Sequence, residues 1–351
     1  MYQRLSYSRI RGVQGLHTIN IPQILPLDES AMEQARHQQA MLMKPQGALG
    51  KLETLSTRLS GMAGRTDWFP SKRAVFVFAG DHGMSSDDAS SSISTADRVE
   101  QIVNETGAVN SISRQTGTRL IIADVGVNHR FKARPRNLVP PIGQEMRKPT
   151  FVQRKIAMGT NDISQTTAMT ADQANKAIQR GIDAIQEEQK RGLNLIFLGA
   201  LGVGNTLSAT AIITAITGQS LAIDHMLQQI LDLHKPADDN PLMKFGGYEI
   251  GAIAGVILYA SSQRIPIVLD GLACLAGALI AHQINPDVKN YLIAGQNSED
   301  YSFQVALDYL GLDPLLDLGL NMGDGTGALL AYPLIESAMR TLNEIGTSDV
   351  G

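Results

Sequence analysis

Two glycine-rich turns and one Asp-His pair carry the residues best suited to chemistry. The first turn is Gly202-Val-Gly-Asn-Thr, between the apolar run 193–198 and a helix start at Leu207-Ser-Ala-Thr-Ala. A strand, a glycine turn and a helix in that order present free backbone N–H groups and the positive end of a helix dipole to an anion. Glycine at 202 and 204 lets a phosphate approach the main chain with no Cβ in the way. Asn205 and Thr206 add side-chain donors. The same residues also fit a tight turn with an Asn/Thr cap and no ligand. The second turn, Asn321-Met-Gly-Asp-Gly-Thr-Gly, sets the carboxylate of Asp324 among glycines. The pair is Asp81-His82, followed by Gly83-Met84, at the end of the apolar run 74–79. Ligands collect where parallel strands end, so Asp81 and His82 either touch a ligand or cap and brace their own loop. No further His, Cys or acid stands at metal-ligand spacing, and no metal site is expected.

These turns need a frame, and its elements repeat as strand, polar or glycine turn, helix. Apolar runs at 74–79, 119–123, 193–198, 265–269 and 291–294 read as strands. Helices are predicted over 96–114, 164–189 (two helices meeting near Thr170), 207–217, 224–232, 272–280 and 328–345. The Gly/Ala-rich stretch from Gly246 to Ala260 is a further helix, read as core more readily than as an interface. Residues 130–148 and 236–244 read as loops, and the Ser/Asp-rich 85–97 as a surface loop that could act as a lid. Ahead of the first strand, Asp28 or Ser30 caps one helix. Leu52, Leu55, Leu59 and Met62 stripe a second, after the turn Lys44-Pro-Gln-Gly-Ala-Leu-Gly. The pattern predicts an α/β chain with a Rossmann-like parallel sheet, helices on both faces, and a small helical subdomain built from the N- and C-terminal segments. The expected divisions are 1–65, an arm and helices of the small subdomain; 66–327, the large α/β domain; and 328–351, a helix returning to the small subdomain.

Composition narrows the partners. A net charge of −4, no basic tract and only 5% aromatic residues argue against nucleic acid. No apolar run reaches membrane-spanning length and no apolar core follows Arg4, Arg9 and Arg11, so a cytoplasmic protein without membrane contact is expected. The single cysteine, Cys274, lies in an apolar stretch and reads as a buried structural thiol. No Gly-x-Gly-x-x-Gly follows the first strand, which counts against a dinucleotide cofactor, and none is expected.

The turns form a series: Lys44-Pro-Gln-Gly-Ala-Leu-Gly, Ala79-Gly-Asp-His-Gly, Asp124-Val-Gly-Val, Gly202-Val-Gly-Asn-Thr, Phe245-Gly-Gly-Tyr-Glu-Ile, Ile265-Pro-Ile-Val-Leu-Asp-Gly and Gly323-Asp-Gly-Thr-Gly-Ala. In that order, over roughly residues 30 to 345, they resemble the nicotinate-nucleotide:dimethylbenzimidazole phosphoribosyltransferase family, which activates the lower-ligand base of cobamides. The resemblance implies transfer of phosphoribosyl from nicotinate mononucleotide to an aromatic base, giving an α-ribotide. It implies nucleotide contacts at Gly202, Gly204, Asn205, Thr206, Ser298, Gly325 and Thr326, and a base pocket at Asp81, His82, Gly83 and Met84. A carboxylate takes the proton of the incoming nucleophile; the family uses glutamate in its last glycine loop, and Asp324 stands there.

Departures from the family pattern cluster in this pocket. Asp324 is one methylene shorter than glutamate, which sets its carboxylate back by roughly 1–1.5 Å. Gly199-Ala-Leu-Gly replaces Gly-Glu-Met-Gly. Gln229 stands for a lysine, Gln296-Asn-Ser for His-Arg-Ser, and Asn321 for an arginine. The neutralised charges lead to the expectation of a subunit whose own site is weakened or silent, working with a homologous catalytic partner as a heterodimer, the base being phenolic in one version. A homodimer, and an active variant in which Asp324 acts directly or through a water, are the alternatives.

Overall fold

The computed structural model describes residues 7–8, 21–83, 93–132, 148–219, 225–236 and 239–347. Its centre is one parallel sheet of β1 (Arg73–Gly80), β2 (Arg119–Gly126), β3 (Thr150–Gln153), β4 (Leu195–Leu201), β5 (Ile267–Leu269) and β6 (Leu292–Ala294). The spatial order is β3-β2-β1-β4-β5-β6. β4 is buried along its whole length, and β1 and β2 along all but their first residues. A parallel sheet covered on both faces requires such unbroken apolar runs. The order reverses between β1 and β4, the place where doubly wound folds open a crevice.

In chain order the helices are α1 (Glu29–Met41), α2 (Lys51–Ala63), α3 (Thr95–Val103), α4 (Ala108–Gln115), α5 (Ala171–Gln189), α6 (Asn205–Thr217) and α7 (His225–Leu233). They continue as α8 (Pro241–Phe245), α9 (Tyr248–Ser262), α10 (Leu272–Ile284), α11 (Tyr301–Leu310), α12 (Thr326–Leu330) and α13 (Tyr332–Glu344). α9 and α10 cover one face of the sheet, with α5 against α9 and α6 against α10; α3, α4 and α12 cover the other. The small-residue helix α9 is core, buried over nearly all its length. α1, α2 and α13 lie against one another, and Gln38 Nε2 on α1 donates to the Leu342 carbonyl at 2.7 Å.

Several sequence expectations are corrected. The helix over 96–114 is two, α3 and α4. Glu105 takes a positive φ of 66°, and Asn110 holds the break by accepting from Gly107 N–H and donating to the Ile102 carbonyl. No helix covers 164–169; α5 starts at Ala171, where Thr170 and Gln173 form a reciprocal capping box. β3 is an added edge strand, too short for its pattern to stand out. The loop expected over 236–244 contains the start of α8, capped by Asn240 with Pro241 in its first turn. The last helix is interrupted at Ala331, with Pro333 in the first turn of α13. Most of the 85–97 segment lies outside the described residues, as does most of 130–148; Ser94 in the former caps α3. Among the described residues no helix is long and apolar enough to cross a membrane.

Candidate active site

The loops leaving β4, β5 and β6 meet around a cleft of about 410 Å³. Its walls include Asn205 and Thr206 at the start of α6, Leu272 at the start of α10, Ser298 after β6, and Asn321 and Gly323. Gly204 is the N-cap of α6, left-handed at φ 86° with no side-chain cap. A Cβ there would sit 3.0 Å from the Cβ of His82, so glycine is required twice over, by conformation and by contact. Among the described residues the amides of Gly204, Thr206 and Leu207 have no acceptor. The Val203 amide is held by Thr95 Oγ1 of α3 at 2.9 Å. The helix entrance therefore keeps its donors open toward the cleft, as an anion requires.

The second glycine turn lies across β4. Ala200 N–H donates to the Gly323 carbonyl at 2.8 Å. A Cβ on Gly199 would fall 2.2 Å from the carbonyl carbon of Asp324 and from the amide nitrogen of Gly325; only glycine lets the turn lie this close. Here the amides are occupied. Gly325 and Gly327 both donate to Asp270 Oδ2, at 3.0 and 2.9 Å, and Thr326 N–H donates to Asp324 Oδ1 at 3.1 Å. Burial pushes the Asp270 carboxyl up to about 6; the neighbouring Asp324 charge adds to the rise and the two amides oppose it. Asp324 is 4% exposed. Gln296, on the cleft wall, donates from Nε2 to the Leu320 carbonyl at 3.0 Å and reaches Asp270 Oδ1 at 3.5 Å.

At the switch point, His82 Nε2 stands 2.7 Å from Glu249 Oε1, in a pair with both side chains buried. Glu249 lies in the first turn of α9, where the helix dipole favours a carboxylate. Asp81 Oδ2 accepts from Asn128 N–H at 2.7 Å, tying the loop after β1 to that after β2. The buried Asp124 at the end of β2 is clamped by Lys155 at 2.9 and 2.8 Å, yet burial still raises its carboxyl above the ordinary range. Among the described residues no group of His, Cys, Asp and Glu could hold a metal ion. Cys274 is fully buried and its thiol is pushed up by burial.

Of the residues singled out from the sequence, Asn205, Thr206 and Ser298 line the cleft. Gly202 and Gly204 shape the turn below it. Asp324, Gly325 and Thr326 are folded inward beside Asp270 rather than onto its wall. Asp81 and His82 brace neighbouring loops, and the Gly83 amide reaches Thr160 Oγ1 at 3.3 Å; Met84 lies outside the described residues. Sequence reasoning missed three groups. Glu249 and Asp270 stood in quoted motifs, yet their partners are distant in the chain. Arg98 on α3 lines the cleft, a cation from outside the motifs whose neutral replacements were read from the sequence. Its one signal was position, one helical turn after Thr95.

A family model described as phosphoribosyltransferase matches residues 24–224 and 223–350. The chain is 38% identical to a nicotinate-nucleotide–dimethylbenzimidazole phosphoribosyltransferase of Chloroflexus aggregans, over 95% of this chain and 96% of that one. It is 36% identical to the protein of that name from a Roseiflexus species, over 93% and 95%. The crystal structure of the Thermus thermophilus protein of that name superposes with a TM-score of 0.80 at 30% identity, covering 92% of this chain and 97% of the other.

Proposed function

This chain belongs to the nicotinate-nucleotide–dimethylbenzimidazole phosphoribosyltransferase family, and from that premise we propose that its cleft moves phosphoribosyl from nicotinate mononucleotide to a planar aromatic base. The observation that carries the reading is the meeting, around one nucleotide-sized cavity, of an open amide cradle on α6 with the segment that bears Asp324. In this reaction the glycosidic C–N bond to nicotinate breaks and a new bond forms from the incoming ring nitrogen or phenol oxygen to the same sugar carbon. The proton of the incoming group leaves to a base. Asp324 is that base, through a bridging water, because its side chain is short and set back from the wall. The turn at Asp81-His82 flanks the cradle and bounds the flat slot for the base.

A second reading has one observation in its favour. Asp324 is buried, and one of its oxygens is already held by the Thr326 amide. On that reading the chain keeps the nucleotide but works in an assembly with a homologous catalytic subunit. The test is nicotinate release from the mononucleotide with a panel of benzimidazoles, purines and phenols, by the chain alone and mixed with a homologous chain. The first reading expects turnover by the chain alone, reduced about 100-fold or more in Asp324→Asn. Turnover only in the mixture, indifferent to Asp324→Asn, establishes the second and removes the first.

A further inference from the structure

We propose that Arg98 is the counter-charge for the phosphate of the bound nucleotide, a specificity-determining residue supplied by α3 rather than by the loops around the cleft. The inference rests on the phosphoribosyl-transfer reading of that cleft. The geometry begins with Thr95. Its hydroxyl accepts from the Val203 amide at 2.9 Å, which fastens the first turn of α3 onto the glycine turn after β4. Arg98 follows Thr95 by three residues and so lies on the same face of the helix, one turn along. It lines the cleft together with Asn205 and Thr206. It is the only basic residue among the described residues of that wall. Among the described residues its guanidinium makes no hydrogen bond and no ion pair, not even with Asp300, the one carboxylate on the wall. A planar group with five donors, half buried and unpaired among the described residues, therefore faces the same cleft as Asn205 and Thr206, in the turn whose amides stay open. Arginine matches phosphate bidentately in that setting.

Gln296 is an independent sign of what occupies the cleft. It is 2% exposed, its Nε2 is fixed by the Leu320 carbonyl, and its Oε1 is buried without a partner among the described residues. A buried, unpartnered acceptor calls for a donor. A phosphate dianion has none to give, whereas a sugar hydroxyl does. Unpaired donors beside an unpaired acceptor describe a phosphorylated sugar, with its phosphate toward Arg98 and a hydroxyl toward Gln296.

Equilibrium titration separates this from the transfer reading, since it needs no turnover. The probes are nicotinate mononucleotide, nicotinate riboside, ribose 5-phosphate and inorganic phosphate, against the full chain and its Arg98→Ala and Arg98→Lys variants. Arg98→Ala is expected to weaken the mononucleotide and ribose 5-phosphate about 10- to 100-fold and leave the riboside within about 2-fold. Arg98→Lys recovers part of the loss, keeping charge but not the fork. Inorganic phosphate bound as tightly as ribose 5-phosphate would overturn the sugar-phosphate assignment. Equal affinity of Arg98→Ala and the parent for the mononucleotide, or an equal loss for the riboside, overturns the role of Arg98. A parent that binds no mononucleotide removes both the inference and the reading beneath it. Phosphate-selective loss without turnover on any base removes the transfer reading and keeps Arg98. Unchanged mononucleotide affinity alongside turnover does the reverse.

Discussion

The turns at 202–206 and 323–327 look alike as sequence: glycines at alternate positions, a hydroxyl or amide side chain, then a helix. In the structure they behave oppositely. At α6 the amides of Gly204, Thr206 and Leu207 have no acceptor among the described residues, and the nearest anchoring contact, from Thr95, falls on the preceding residue. At α12 three successive amides are closed by the chain's own carboxylates, two by Asp270 and one by Asp324. The glycines serve different ends as well. Gly204 leaves the main chain of the turn uncovered, whereas Gly325 and Gly199 allow two stretches of main chain to touch. A glycine-rich turn is thus a site or a seam according to whether a buried acid faces it, and that acid sits more than fifty residues away in the chain.

The largest way to break this contrast is to remove the acid from the seam. Asp270→Ala leaves the Gly325 and Gly327 amides without acceptors in a buried setting and should lower stability by about 2–4 kcal/mol, measured by urea unfolding. A loss below about 1 kcal/mol would mean the seam holds without its carboxylate. The next effect is on pH. Asp270 is raised to about 6 in the fold, so the native state holds a proton that the unfolded chain has released. Stability should therefore fall as pH rises from about 4 to about 6, and level off above, by on the order of 3 kcal/mol. Asp270→Asn should flatten that slope relative to the parent. An unchanged slope would assign it to other groups, such as Asp124, whose carboxyl burial also raises. The smallest effect belongs to the open turn. Gly204→Ala places a Cβ at φ 86° against His82 and should cost about 1–2 kcal/mol of stability. It should also weaken nucleotide binding in the same titration, because the cradle must shift. Full stability with full affinity would mean that the turn does not need its left-handed residue.

Much of the frame was legible because burial on both faces leaves a plain mark. β1, β2 and β4 announce themselves as apolar runs, and each gives way at its end to a glycine. β3 did not, since four residues at a sheet edge carry too little pattern. The split between α3 and α4 was hidden because Asn110 reads as an ordinary polar residue until its side chain is seen closing the break. Around the cleft, the two glycine turns, and the place of Asp324 within one of them, were readable from local order. Arg98 was not, because an arginine in an amphipathic helix looks solvated until the Thr95–Val203 hydrogen bond fixes where that helix face points. The pairing of His82 with Glu249, 167 residues apart, has no local trace at all.

The way the 323–325 segment rests on Gly199 has a consequence for biosynthesis. β1, β2 and β4, with the amide turn at α6, are complete once about two thirds of the chain has left the ribosome, but the segment that lies on Gly199 comes more than a hundred residues later. Until then the glycine face of β4 has no main chain resting on it, and the cleft lacks the walls that Leu272, Ser298 and Asn321 supply.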